Sequence, residues 1–165
     1  MSKFRGLLLI AGSVIGMAFV AQPASAKTLP AHLCSLLPAS VVSRTLGETY
    51  GAPQEGVAPQ PFAGTNTGTD CYYDATGTPA SKLWFRIYVD SSPSAATDLF
   101  ARLKVFYSPP TAVSKLGDEA YLDPEHALHV RKGRVRFYLN LSPGSSTSAA
   151  ENHIEKLARL VLGKL

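Results

Sequence analysis

Arginine and aromatic side chains that could bind a ligand alternate with apolar residues in two segments of the sequence. Residues 82–90 (KLWFRIYVD) and 127–142 (ALHVRKGRVRFYLNLS) change between apolar and polar types at nearly every position. Successive side chains of a β-strand point to opposite faces of a sheet, so one face would be apolar and the other would carry the polar set. That set is Trp84, Arg86, Tyr88, His129, Arg131, Arg134, Arg136 and Tyr138.

The second segment is predicted to be a hairpin whose register follows from the pattern. A two-residue turn at 132–133 places Arg131 opposite Arg134 and His129 opposite Arg136, and opposed residues share a face. No acidic residue of the hairpin pairs with these arginines, and guanidinium groups beside aromatic rings suit carboxylates or phosphates. The face is therefore predicted to bind an anionic partner: a small molecule, a glycan or a protein surface. A solvated face without a ligand is the alternative, because antiparallel sheets commonly leave one side in water.

Motifs for catalysis or for metal binding are not apparent. The sequence has no Gly-x-Ser-x-Gly, no glycine-rich phosphate loop and no Cys-x-x-Cys. His126 and His129 are three residues apart, which in a strand puts them on opposite faces, and the acids at 118–125 do not fit a calcium loop. We therefore predict no catalytic residue, no metal and no cofactor.

Three functions follow from these observations. The first is a non-enzymatic exported binding or interaction module that uses the basic and aromatic face. The second is a small envelope enzyme with residues 48–70 as a lid, which a deep pocket lined by Asp or His would favour. The third is a structural envelope protein without a specific ligand, which a featureless surface would favour.

The first 26 residues have the three parts of a secretory signal peptide. Lys3 and Arg5 precede a 15-residue apolar run at 7–21, and residues 24–26 (ASA) form the small-x-small pattern of a cleavage site. The run is shorter than the roughly 20 residues of a membrane-spanning helix, so a retained anchor is the less favoured alternative. The mature chain would begin at Lys27, without a membrane span, in the periplasm or outside the cell.

Charge and cysteine content constrain the mature chain further. Of 16 Lys and Arg residues two lie in the signal peptide, which leaves 14 against 12 Asp and Glu, a net charge of +2. This small excess does not indicate a nucleic-acid partner. Cys34 and Cys71 are the two cysteines of the chain, and an even number in an exported protein predicts a disulfide bond between them.

Hydrophobic periodicity predicts a single α+β domain over residues 27–165. The predicted helices lie at 28–47 (one, or two short ones), after Ser92-Pro93, and from Ser148 to Gly163. The predicted strands lie at 71–75, 82–90, 119–122 and in the hairpin, while 48–70 is rich in Gly and Pro and is predicted to be a long loop. The expected architecture is one mostly antiparallel sheet of about five strands with helices packed on one face.

Several short motifs of the sequence together resemble those of one group of proteins. They are 34–37 (CSLL) with Leu46-Gly47, 71–73 (CYY) and 116–121 (LGDEAY), followed by a hairpin and a closing helix. With them the chain resembles a loose group of small exported bacterial domains of unknown function, many of which are lipoproteins. This chain has Lys27 where a lipoprotein has its lipidated cysteine. The resemblance implies an α+β domain and carries over no catalytic residue.

Overall fold

A computed structural model describes residues 28–77, 81–142 and 148–165 of the chain. The signal peptide predicted at 1–26 lies outside these ranges. Within them no helix combines the length and the apolar character that crossing a membrane requires.

Seven antiparallel strands form one sheet in these described ranges, two more than the sequence predicts. Their order across the sheet is β1-β2-β3-β7-β6-β5-β4. The strands are β1 (Gln54–Ala58), β2 (Gly68–Asp74), β3 (Lys82–Val89), β4 (Thr111–Ala112), β5 (Glu119–Leu122), β6 (Leu128–Lys132) and β7 (Val135–Ser142). The two unpredicted strands, β1 and β4, form the edges. β1 lies inside the stretch predicted to be a loop, so the irregular segment that precedes β2 is confined to residues 59–67.

The helices lie close to their predicted positions. A 3-10 helix (Leu33–Leu36) and α1 (Ala39–Leu46) occupy the first helical segment, and α1 ends at Gly47 in the left-handed conformation, with φ of 77°. α2 (Pro93–Phe106) begins at Ser92, whose Oγ accepts a hydrogen bond from the Ala95 N–H at 3.1 Å. α3 (Ser148–Leu162) closes the chain.

The first face of the sheet carries the hydrophobic core. The 3-10 helix, α1 and α3 pack on it, and the buried Phe85, Ile87 and Leu139 from β3 and β7 belong to the same core as the buried stripe of α3. The Cys34–Cys71 disulfide is confirmed, with Cα atoms 5.6 Å apart, and it joins the 3-10 helix to β2. This face is therefore closed by apolar packing and by a covalent link.

The second face is partly covered by α2, and this corrects the expectation that helices pack on one face only. Phe100 of α2 is buried with its ring centroid 5.1 Å from that of Tyr121 in β5. α2 connects β3 to β4 at the far edge, so it has to cross the sheet, and it contacts β6 and β7 on the way. The covered half is therefore not available as part of the exposed binding face that the sequence predicts.

The turn of the hairpin lies one residue later than predicted, and this changes the register of the two strands. Residues 133–134 form the turn, so Arg131 lies opposite Arg136, and His129 lies opposite Tyr138. Moving a two-residue turn by one position changes each pairing by two residues, which retains the face of every side chain. The predicted division into apolar and polar faces is confirmed for the strand residues, whereas Arg134 lies in the turn.

Candidate ligand-binding site

One row of side chains crosses the second face and positions most of the polar groups. In this row Asp70 of β2 pairs with Arg86 of β3, Arg86 with Tyr138 of β7, and Tyr138 with His129 of β6. Direct neighbours in such a ladder are about 5 Å apart. The register thus brings together three of the predicted site residues and adds an aspartate that the sequence analysis did not single out.

Arg86 is held by Asp70 through two hydrogen bonds. Nε donates to Oδ1 at 2.5 Å and Nη2 donates to Oδ2 at 3.1 Å, and the guanidinium lies 5.7 Å from the ring centroid of Tyr138. Burial by itself lowers the pKa of Arg86, but the hydrogen bonds and the charge of Asp70 outweigh burial and raise it. Arg86 is therefore a fixed positive charge with a compensating negative charge beside it.

Arg136 is also paired, in a more deeply buried position. Its Nε and Nη2 donate to the two carboxylate oxygens of Asp90 at 2.5 and 2.9 Å, and the side chains of Arg136 and Asp90 are 2% and 1% exposed. The guanidinium lies 4.9 Å from the ring centroid of Tyr88, which is itself buried. Arg136 therefore cannot form part of an exposed contact surface.

The remaining residues of the predicted set are dispersed. Arg131 pairs with Asp118 at 3.3 Å, so an internal acid does exist for it. Arg134 is exposed in the turn and has no ion pair within the described residues. Trp84 is 38% exposed, and its ring meets that of Tyr72 edge to face at 6.0 Å on the half that α2 leaves open. The predicted basic face is thus a set of compensated charges, not a continuous positive surface.

A cavity of about 320 Å³ lies between the second face, the C-terminal half of α2 and residues 59–62. Its lining is mainly aromatic and includes Phe62, Phe106, Tyr107 and Tyr138. The charged or ionisable groups of the lining, tyrosines apart, are Arg86, Arg136, Asp123, Glu125 and His129. Ligand pockets are typically concave and apolar with a few convergent polar groups, and this cavity has that composition.

Residues 59–62 form one wall of the cavity, and the segment 59–67 that contains them is attached at both ends. Tyr88 Oη donates to the Pro59 carbonyl at 2.9 Å, and Asn66 Nδ2 donates to the Val89 carbonyl at 3.1 Å. The Tyr88 side chain can reach the Pro59 carbonyl because Gly68, which has no side chain, lies next to the Tyr88 ring. A Cβ at Gly68 would stand 2.7 Å from the Tyr88 ring, closer than such atoms approach in proteins.

The middle of this wall is tied to α2. The Phe62 ring lies 4.1 Å from the Arg102 guanidinium carbon and 6.5 Å, edge to face, from the Phe106 ring. Cation–π and aromatic contacts of this kind contribute about 0.5–1 kcal/mol each at exposed sites. The wall is therefore held firmly at its two ends and more weakly at its centre.

His129 lies at the other side of the cavity, among aromatic rings. Its ring stacks on Tyr121 at 4.6 Å with an interplanar angle of 10°, and the Tyr107 and Tyr138 centroids are 5.1 and 5.2 Å away. Nε2 is 3.0 Å from Oδ2 of the buried Asp123. These contacts fix both the position and the plane of the imidazole.

Asp123 determines which nitrogen of His129 carries the proton. Burial alone would raise the pKa of Asp123, but hydrogen bonds from His129 and from the N–H groups of Ala127 and Glu125 outweigh burial and lower it. An ionised carboxylate only accepts hydrogen bonds, so Nε2 of His129 must donate. In the neutral imidazole the lone pair is then on Nδ1, which has no protein partner within the described ranges.

The tyrosines of this region stay protonated over the ordinary pH range. Burial raises the pKa of Tyr107 and Tyr138, and the nearby carboxylate of Asp123 adds to the effect. Each phenol therefore keeps its hydrogen and can donate a hydrogen bond to a ligand.

The described residues contain no group of three His, Cys, Asp or Glu side chains that could hold a metal ion. His126 points away from His129, because its Nδ1 lies 2.8 Å from Glu151 Oε1 of α3. Asp70, Asp90 and Asp123 are partners of the predicted residues that the sequence did not reveal. The signal that identifies them is the strand register, which depends on pairing between distant parts of the chain.

Comparisons with protein-family models, with curated proteins and with solved structures find no match to this chain. The resemblance to small exported bacterial domains stays a prediction, and the evidence for a function lies in the site itself.

Proposed function

We propose that this protein is a non-enzymatic exported binding module whose ligand occupies the cavity between α2, residues 59–62 and the second face. The observation that carries the proposal is the convergence of Arg86, His129, Tyr107 and Tyr138 on one largely aromatic cavity. Its volume of about 320 Å³ lies at the small end of the roughly 300 to 1,000 Å³ that ligand pockets span. The ligand is therefore a small molecule, and a flat contact with a macromolecule is a weaker alternative.

A titration of the mature protein with phenol, followed by amide NMR shifts, tests the cavity. We expect saturable shifts for residues of the lining. Leu103→Trp places a larger side chain in the cavity and should abolish them, whereas Leu99→Trp, one turn earlier on α2 and outside the lining, should not. Shifts that survive Leu103→Trp, or their absence from the wild-type protein, would contradict the proposal.

An enzyme is the second candidate, because the cavity meets the criterion of a pocket lined by Asp and His. His129 is oriented by Asp123 through Nε2, so in its neutral form Nδ1 could act as a general base. The described lining holds no Ser, Thr, Cys or Lys, so a covalent intermediate on those nucleophiles is not available there. Hydrolysis of 4-nitrophenyl acetate that the wild-type protein catalyses and His129→Gln does not would favour the enzyme.

Export is part of the proposal and is supported by the disulfide. Disulfide bonds persist in oxidising compartments and are rare in the cytosol, and Cys34 and Cys71 are joined. Sequencing the N-terminus of the protein recovered outside the cytoplasm should give Lys27 as the first residue. A start at Met1 or Ser2 would contradict the signal peptide.

Binding of an anionic partner to the second face stays a prediction, and it now depends on a single arginine. Arg134 is the arginine of the set that is both exposed and without an ion pair in the described structure. Arg134→Ala is therefore the test, because replacing Arg136 would also leave Asp90 buried without its partner. An anionic surface that binds the wild-type protein should bind Arg134→Ala more weakly, with a difference that disappears at high salt.

A further inference from the structure

We infer that the cavity binds a small organic cation, with its ammonium group at the side formed by Asp123, Glu125 and His129 and its apolar part among the aromatic rings. This inference rests on the proposed function, since it names the class of ligand for the same cavity. Three observations carry it: the arginines of the lining are engaged by the protein, one side of the cavity carries negative charge, and two aromatic rings beside that side have no arginine over them.

Both arginines that line the cavity are engaged by groups of the protein. Arg86 and Arg136 are each held by an aspartate through two hydrogen bonds. The Arg86 side chain also hydrogen-bonds the phenols of Tyr72 and Tyr88. An anionic ligand would therefore compete with an aspartate for either guanidinium, so the two arginines do not make the cavity an anion site.

The side of the cavity beside β6 carries negative charge. Burial alone would raise the pKa of Asp123, but the hydrogen bonds that it accepts outweigh burial and lower it, so the carboxylate is ionised. Those bonds come from His129 Nε2 and from two backbone N–H groups, and when the imidazole is neutral none of these donors brings a positive charge. Glu125 adds a second carboxylate to the lining. A cation placed here is attracted by both carboxylates, and less screened than it would be in water.

The strand register separates this negative side from Arg86. Tyr138 lies between Arg86 and His129 in neighbouring strands, which puts the outer two Cα atoms about 10 Å apart. Burial raises the pKa of Tyr107, and there the charge of Asp123 has a larger effect than the opposite effect of Arg86. At Tyr138, whose pKa burial also raises, Arg86 has the larger effect of the two. The negative side of the cavity is therefore the side at Tyr107.

Two aromatic rings border the negative side. The Phe106 and Tyr107 rings meet edge to face at 5.0 Å, and the Tyr107 centroid is 5.1 Å from that of His129. Guanidinium groups lie over other rings of the lining, but among the described residues none lies over these two. The negative face of an aromatic ring attracts an ammonium group, more strongly where water is excluded. Carboxylates and rings placed together in this way suit a cation better than a neutral or an anionic ligand.

Three compounds with one ring and different charges test the inference on the wild-type mature protein. Benzylamine is a cation, benzyl alcohol is neutral and benzoate is an anion at pH 7.5, where an imidazole with the ordinary pKa of about 6.5 is mostly neutral. Amide NMR titrations give their dissociation constants. We expect benzylamine to bind about fivefold to tenfold more tightly than benzyl alcohol, and benzoate to bind more weakly than both. Added salt should reduce the preference for benzylamine, because it screens the carboxylates.

Glu125→Gln is the matched protein variant, since it removes one negative charge from the lining and keeps the length of the side chain. Glu125 is exposed, so the variant should fold, and a thermal melt checks this. We expect benzylamine to bind about threefold more weakly, with benzyl alcohol unchanged. Asp98→Asn, exposed on α2 and outside the lining, removes the same charge elsewhere and should leave benzylamine binding unchanged. If Glu125→Gln does not fold, the three probes on the wild-type protein decide alone.

The outcomes separate this inference from the proposed function. If benzyl alcohol or benzoate binds the wild-type protein as tightly as benzylamine, or if Asp98→Asn weakens benzylamine binding as much as Glu125→Gln does, the ligand class is wrong while the cavity is still a binding site. If no probe causes saturable shifts at the cavity, or if Leu103→Trp leaves those shifts unchanged, the proposed function itself is wrong.

Discussion

The two faces of the sheet are covered in different ways. On the first face Phe85, Ile87 and Leu139 share one apolar core with the buried residues of α3, and the Cys34–Cys71 disulfide links the 3-10 helix to β2. On the second face α2 lies over arginine–aspartate pairs, a histidine and aromatic rings, and the cavity lies between the strands and Leu103 and Phe106 near the C-terminal end of the helix.

This difference follows from the chemistry of the side chains. Apolar side chains interdigitate at high density, so the core between the first face and α3 is filled by side chains. Guanidinium and carboxylate groups need fixed hydrogen-bond geometry, and the rings stack on them, so the second face cannot close in the same way. A single antiparallel sheet thereby stabilises the fold with one side and holds a cavity with the other.

The largest expected effect compares two phenylalanines. Phe85 is 0% exposed on the first face, whereas Phe106 is 71% exposed at the cavity. Phe85→Ala should lower the free energy of unfolding by about 4 kcal/mol, through lost burial and the space left behind. Phe106→Ala should cost less than about 1 kcal/mol. Urea denaturation of both variants measures the difference, and equal losses would mean that the faces share one core.

The disulfide should contribute a similar amount to the first face. Joining Cys34 to Cys71 closes a loop of about 38 residues, so replacing both with Ser should cost up to about 4 kcal/mol on chain-entropy grounds. Denaturation of the Cys34→Ser/Cys71→Ser protein, compared with the oxidised wild type, measures this. Phenol binding under native conditions should be retained, because neither cysteine lines the cavity.

The next effect distinguishes two arginines on the second face. Arg136→Met leaves Asp90 buried without its partner and should cost about 3 kcal/mol. Arg131→Met disrupts a pair whose aspartate, Asp118, is about one-third exposed, and should cost less than about 1 kcal/mol. Adding Asp90→Leu to Arg136→Met should restore much of the loss. If it restores nothing, packing and not charge determines the cost.

The smallest effect concerns pH. The pKa of Asp123 is lowered in the folded protein, so the unfolded chain binds its proton at a higher pH than the folded chain does. The stability that Asp123 contributes is therefore present above its ordinary pKa of about 4 and is lost as the pH falls through the folded value. Asp123→Asn should flatten the decline in stability between about pH 5 and pH 3.

Asp98→Asn, an exposed position on α2, is the matched control for this pH dependence. Denaturation at a series of pH values should show the decline intact in Asp98→Asn. If both variants flatten the decline equally, the overall charge of the protein, and not Asp123 in particular, causes the pH dependence.

Local pattern predicted more of the fold than of the site. Alternation identified β3 and the hairpin, and it sorted their faces correctly even though the turn is one position later than expected. β1 was missed because its sequence, QEGVA, has no alternation and four of its five residues are exposed. β4 was missed because two residues are too few to show any period.

The site depends on pairings that sequence pattern does not encode. Asp90 is 46 residues from Arg136, and Asp70 is 16 residues from Arg86. The apolar stripe of α2 predicted a helix, but nothing in it specified which face the helix would cover. The arginines therefore looked uncompensated in the sequence, and the structure shows that Asp118, Asp90 and Asp70 compensate them.

The order of the strands divides the cavity between two halves of the molecule. β1 to β3 and β4 to β7 are separate meanders that meet only where β3 pairs with β7, and α2 is the link between them. Arg86 and the 59–62 wall belong to the first half, and Asp123, His129 and Tyr138 belong to the second. Neither half contains a complete cavity, so ligand binding would report that the two halves have assembled. If the chain were divided between α2 and β5, the two fragments would bind the ligand only after they had assembled.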